Sequence, residues 1–358
     1  MERIALYPFD ANMLPLVKHF SELQCTYEIG EIIALPGSGL INRDAAYACN
    51  QTNIGVKVFD ALHLDSKDWT KLCYNLTYDR RVPDVDLLKR TIDAQKNILM
   101  FSDDAARKYA LRHFSKAFMP SNIQFSKPSV AIKKDSDLTY KDIKTPIMLV
   151  GGLAIQSDVS EITTHLVCGL KKAGVSVQVL SPNPIYGLFG FHNYMSCYDA
   201  RDADFEAVII KLNYFVRTIE NLYHPDMIVI EAPDSVIRFN SKAPNGFGIL
   251  TYMLCQAAKP DYFICGIPCD LAQQAFVEAL STDFEIRLGS RINAVHLSNS
   301  LIDAVDTMQN DRGLLTFYAD FSEVHHYLEK WDQAGAIYAF NAVADAGNYD
   351  ELLKHVFS

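Results

Sequence analysis

The chain has 358 residues and contains no apolar run of about eighteen, so no membrane span is expected. Its opening, MERIALYPFD, lacks a charged start followed by an apolar stretch, so no secretory signal is read and a cytoplasmic location is expected. Positive charge is scarce: 33 Lys and Arg stand against 43 Asp and Glu, a formal net charge of −10. That balance argues against a broad nucleic-acid surface, though it leaves room for a local basic pocket. There is no CxxC pair. The eight cysteines are dispersed, mostly inside apolar segments, and read as buried thiols rather than metal ligands or disulfides.

Several catalytic signatures are also missing. Gly37-Ser-Gly39 has no third glycine, so it is not a dinucleotide fingerprint. No G-x-S-x-G elbow and no D-x-H-x-x-G cobalamin loop occurs. His296 and the pair His325-His326 lack the spacing of zinc ligands, so no metal site is assigned.

What is present is a globular composition, 49% hydrophobic, in which strand-like and helix-like stretches alternate. RIALYPF, IGVKVF and NILMFS read as strands, and LLKRTIDAQK and DDAARKYALRHFSKAF as helices. From 124 to 145 the chain turns polar and rich in Lys and Asp. A second alternating region opens at Pro146: strand IMLVGG, helix SDVSEITTHLVCGLKKAG, strand VSVQVLS. Two similar segments, HPDMIVIEAP and KPDYFICGIP, read as buried parallel strands joined by a helix. The fold class expected is α/β: a Rossmann-like domain at 1–125, a linker at 126–146, a larger P-loop-like parallel-sheet domain at 147–280, and an α/β extension at 281–358.

The chemistry gathers at the expected carboxyl ends of the strands, where open α/β sheets bind ligands. The turn after IMLVGG is placed as a phosphate loop would be. A P-loop needs a lysine for the phosphates and a hydroxyl for magnesium. Counted from Gly152, the three closing positions hold Ser157, Asp158 and Val159 instead. An aspartate repels phosphate, so Gly151, Gly152, Ser157, Asp158 and Ser160 are read as a ligand-facing turn that has lost its cation. Asp158 or Ser157 is expected to cap the following helix. Glu231 and Asp234, at the end of MIVIE, are the candidates for a catalytic base or a magnesium site, and Ser181 and Asn183 follow the strand VSVQVLS. His192 lies in an unusual Gly/aromatic loop, GLFGFHNY, and is a candidate binding residue. Each of these also has an ordinary reading as a turn or packing residue.

The ordered stretches IALYPFDANMLPLV, PGSGLINRDAA, MLVGGLAIQSDVSEITTHL, KKAGVSVQVLS, GLFGFHNYM, LNYFVRTIENLYHPDMIVIEAPDSVIRFN and NGFGILTYMLCQAAKPDYFI resemble one group over most of the chain. It is the peptide-maturation-system proteins encoded beside radical S-adenosylmethionine enzymes, in clusters for ribosomally made peptide natural products. The resemblance implies an accessory role, with a precursor peptide or a maturation enzyme as partner. The group's Asp-Lys-Phe-Glu stands where this chain has Asp158-Val159-Ser160-Glu161, which implies that Val159 replaces the lysine. The second half also resembles the P-loop class that includes dethiobiotin synthetase, with Glu231 at its acidic position but EAPDSV in place of a glycine-rich turn. Nucleotide with magnesium is therefore the cofactor to test, and the missing lysine argues against it. Two alternatives stand beside the accessory role: an ATP- or GTP-dependent ligase or transferase using Glu231 and Asp234 with magnesium, and an inactive subunit paired with an intact homologue.

Overall fold

The computed structural model describes residues 1–23, 26–61, 68–76, 84–102, 104–113, 123–127, 130, 138–154, 157–198, 204–238, 240, 244–309, 314–333, 335–345 and 349–357. Residues 128–129 and 131–137 of the segment expected to link domains, and the end of the helix expected near 118, lie outside these residues. The chain folds as two compact units. The first comprises residues 1–129 with 183–196, and the second 130–182 with 197–358.

In the first unit, strands β1 (Glu2–Phe9), β2 (Tyr27–Ala34), β3 (Val58–Asp60), β4 (Lys71–Asn75), β5 (Asn97–Phe101) and β6 (Ile123–Phe125) form one parallel sheet. Their order is β3-β2-β1-β4-β5-β6, that of a dinucleotide-binding Rossmann sheet. Helices α1 (Leu14–Lys18), α2 (Val85–Asp93) and α3 (Asp104–His113) connect them. Asp84 starts α2 by accepting from the Leu87 N–H, and Leu87 and Leu88 then bury against Tyr74, Ile98 and Met100. In such a sheet the ligand crevice opens between β1 and β4, where the strand order reverses.

The second unit begins with β7 (Ile147–Gly152), α4 (Val159–Lys172) and β8 (Val177–Ser181). Residues 183–196 then return to the first unit as a 3-10 turn (Pro184–Phe189) and a two-residue strand, β9 (His192–Asn193). The second unit resumes with α5 (Phe205–Tyr223), β10 (Met227–Glu231), α6 (Ile249–Ala257), β11 (Tyr262–Pro268), α7 (Gln274–Leu288), β12 (Ala294–Ser298), β13 (Ser300–Ile302), α8 (Ala304–Gln309), β14 (Thr316–Tyr318), α9 (Phe321–Lys330), β15 (Tyr338–Phe340) and α10 (Asp350–Val356). Its main sheet runs β15-β12-β11-β7-β10-β8, every pair parallel. The central strand β7 is buried along its whole length, which is why it reads as a continuous apolar run. From β7 the chain leaves toward β8 and β10, then crosses to β11 on the other side. The reversal point therefore lies between β7 and β11.

The two similar segments become β10 and β11, which both flank β7 instead of pairing with each other. FEIRL continues α7 until Gly289 takes a left-handed φ of +83° and ends it. SLI forms β13 and pairs antiparallel with β14. Among the described residues, no helix is long and apolar enough to cross a membrane, and no cysteine forms a disulfide.

Candidate functional site

The second unit's reversal point carries most of the residues singled out above. After Gly152 the chain does not stand clear of the sheet. The Leu153 N–H donates to the Gly266 carbonyl (3.0 Å), and the Ala154 N–H donates to Ser157 Oγ (3.0 Å). A side chain on Gly266 would place Cβ 2.0 Å from the Ser157 carbonyl oxygen, and one on Gly152 would place it 2.6 Å from Ser157 Cβ. The turn thus lies on the carboxyl end of β11 and occupies the crevice a phosphate loop would leave open. The amides of residues 153 and 154, which a phosphate cradle would aim at its anion, are spent inside the fold.

Asp158 adopts a left-handed φ of +54°, which aspartate tolerates better than most residues. It sits at the N-terminal boundary of α4, but its carboxylate does not cap the helix. It accepts from Nε2 of His296, 3.2 Å away on β12. Nδ1 of the same ring accepts from the Ala342 N–H (3.1 Å), so the neutral ring carries its proton on Nε2 and gives it to Asp158. His296 is fully buried, with the Phe340 ring set edge-on to it. The position where a P-loop holds a mobile cation here holds an anion tied to a buried histidine. His296, dismissed as a zinc ligand, becomes important only once β12 is seen two strands from β7. No local spacing could have shown this.

Three candidates do converge. Glu231 ends β10, and Ser181 ends the neighbouring β8 and donates its hydroxyl to Glu231 Oε2. Ser160 and Thr163, on the first turn and a half of α4, add two further hydroxyls. Burial pushes the Glu231 carboxyl up to about 7, against the pull of the Ser181, Thr163 and Ser160 hydroxyls. Thr163 was not picked out from the sequence. Its signal was the helical spacing from Ser160, three residues on.

Asp234 has a different occupation. Its carboxylate accepts from the Leu250 N–H (3.3 Å), the Thr251 N–H (3.1 Å) and the Thr251 hydroxyl. It is an N-terminal cap for α6 supplied from a distant loop. Burial raises its pKa, and these bonds act against the rise. Replacing Asp234 by alanine is expected to cost about 2 kcal/mol, and by asparagine less, as read from urea unfolding midpoints. An unchanged midpoint for the alanine variant would rule out the capping role.

Asn183 and His192 belong to the first unit. Asn183 Oδ1 accepts from the Ile185 N–H (3.3 Å) at the start of the 3-10 turn, and from Asn75 Nδ2 (3.2 Å) at the end of β4. Tyr186 donates its hydroxyl to the Asn12 carbonyl just after β1 (2.9 Å). The Gly/aromatic loop therefore plugs the β1/β4 crevice, with Tyr186, Phe189 and Phe191 packed ring on ring. His192 is buried within it, and burial pushes its pKa down to about 4, so it stays neutral at pH 7. In both units the chain itself fills the place where this fold class usually binds its ligand.

No family model matches the chain, and no curated protein does. Among solved structures, it is similar over 100% of its length to a DUF1611 family protein from Anabaena variabilis ATCC 29413, covering 99% of that chain at 14% identity with a TM-score of 0.58. This likeness shows the α/β fold and nothing about activity. A nucleotide-binding protein from Archaeoglobus fulgidus, solved in complex with ADP, matches 59% of this chain and 85% of its own at 15% identity, with a TM-score of 0.31. That value is too low to carry an argument.

Proposed function

We propose that this chain is an accessory binding protein without nucleotide-hydrolysing activity, serving the maturation of a ribosomally made peptide. One observation supports the reading above the others. The strand-turn-helix frame of a phosphate site is intact, yet Asp158 stands at the cation's place, held by His296, and the turn lies on β11. An anion there, with two of the loop amides already bonded, opposes phosphate on both electrostatic and geometric grounds. The peptide context comes from the sequence resemblance, and the partners it implies are a precursor peptide or a maturation enzyme.

The ligase or transferase alternative needs Glu231 and Asp234 to share magnesium. It draws support from the near-neutral pKa of Glu231, which suits a general base. Against it, Asp234 already holds the N-terminus of α6.

Calorimetry with Mg-ATP and Mg-GTP tests the reading. No saturable heat is expected from the natural chain or from Asp158→Lys, because restoring a lysine does not free the loop amides. Micromolar, magnesium-dependent binding by the natural chain would overturn the proposal.

A further inference from the structure

In the first unit, β2 pairs with β1 from Tyr27 onward, but with β3 only from Ile32 onward. The chain leading into β3 is drawn away from β2. Ala45 N–H donates to the Val56 carbonyl (2.8 Å), Val58 N–H donates to the Arg43 carbonyl (2.9 Å), and the Asp44 carboxylate accepts from the N–H groups of Ile54 and Gly55. Among the described residues nothing pairs with the second edge of Tyr27–Glu31. The gap between that edge and Gly55–Lys57 is a cleft of about 570 Å³, walled by Val17, Phe20, Ile29 and Phe59, with Lys57 at one end.

We propose that this cleft binds the C-terminal end of an extended peptide by strand addition to β2. An open strand edge offers alternating N–H and C=O groups that another extended backbone matches best. Charge then selects the direction. A strand laid parallel to β2, as β1 and β3 are, ends where β3 begins. Its terminal carboxylate therefore meets the Lys57 ammonium. An antiparallel strand would bring an amino terminus to the same cation. Lys57 is exposed, lies 5.8 Å from the Phe59 ring centroid, and has no carboxylate contact among the described residues. The two acidic side chains of the cleft are already engaged: Glu31 accepts from Trp69 Nε1 (2.7 Å), and Glu28 pairs with Arg3 (3.8 Å). The apolar walls take the side chains, and the backbone and carboxylate supply the recognition, so the site is tolerant of sequence.

The site gives the peptide partner of the preceding section a place, and it depends on that section only for context. Nucleotide calorimetry reads the second unit and peptide titration reads the first, so the two can fail separately. Trp69 is buried and donates to Glu31 of the cleft, so its emission reports on the site; the other tryptophan, Trp331, is replaced by phenylalanine to clear the signal. The probes are a synthetic library of N-acetylated pentapeptides with free carboxyl termini, the same library amidated, and the same library with backbone N-methylation.

The free-acid library is expected to shift Trp69 emission saturably. The amidated library is expected to bind about tenfold more weakly, and the N-methylated one not at all. Lys57→Met is expected to make acid and amide bind equally. No saturable response up to millimolar peptide, equal binding of acid and amide by the natural chain, or retained binding after N-methylation would each overturn the proposal.

Discussion

Replacing Glu231 by glutamine is expected to raise the unfolding free energy at about pH 8 by about 3 kcal/mol, and to change it little near pH 4. The sign follows from proton binding. In the unfolded chain this carboxyl titrates near its ordinary value of 4.5, and in the folded chain burial pushes it up to about 7. Between those values the folded state binds the extra proton, so stability falls as pH rises through the window. Above it, the folded protein carries the full cost of a buried carboxylate that three hydroxyls only partly offset. Below it, both states are protonated and the cost is gone. The glutamine cannot ionise, and the hydroxyls of Ser181, Ser160 and Thr163 can turn to meet its amide. Urea unfolding midpoints across pH 4 to 8 make the comparison. If the natural chain and Glu231→Gln lose stability in parallel as pH rises, the hydroxyl cage does not hold a near-neutral carboxyl, and Glu231 loses its claim as a proton-handling group.

The α/β character of both units was readable because parallel strands buried on both faces leave uninterrupted apolar runs, and IMLVGG and MIVIE are of that kind. The phosphate-site frame was readable for the same reason, as was its charge inversion, since Asp158 and Val159 are literal letters in the sequence. What the letters could not give was pairing across the sheet. Asp158 reads as a cap because short polar residues before helices usually are. His296, 138 positions later, bonds its carboxylate instead. Asp234 reads as a candidate base because it follows a strand end, but three consecutive left-handed residues, Gly246, Phe247 and Gly248, bring α6 back onto it. The Gly/aromatic loop around His192 looked like a binding loop because such loops often are. Its return across the chain to fill the β1/β4 crevice is a long-range event with no local signature. The open edge of β2 was hidden as well, because β3 is three residues long and its sequence does not show where pairing begins.

Gly266→Ala is expected to destabilise the second unit by about 3 kcal/mol. The added methyl would meet the Ser157 carbonyl oxygen at 2.0 Å and Ile162 Cδ1 at 3.1 Å. The first contact is with backbone, so no rotamer change relieves it. Ser157→Gly in the same chain therefore restores nothing, and the double variant should be no more stable than Gly266→Ala alone. Gly174→Ala is the comparison. Its Cβ would meet nothing within 4 Å, so only its left-handed φ of +80° is at stake, a cost of about 1 kcal/mol. Thermal and urea unfolding of the three variants measure the difference. The outcome bears on function because the collision exists only if the turn lies on β11. If Gly266→Ala folds with natural stability, the turn stands away from the sheet. The Leu153 amide would then be free to face a ligand, and the case against a nucleotide in this crevice would rest on the charge of Asp158 and on the Ala154 amide held by Ser157 Oγ.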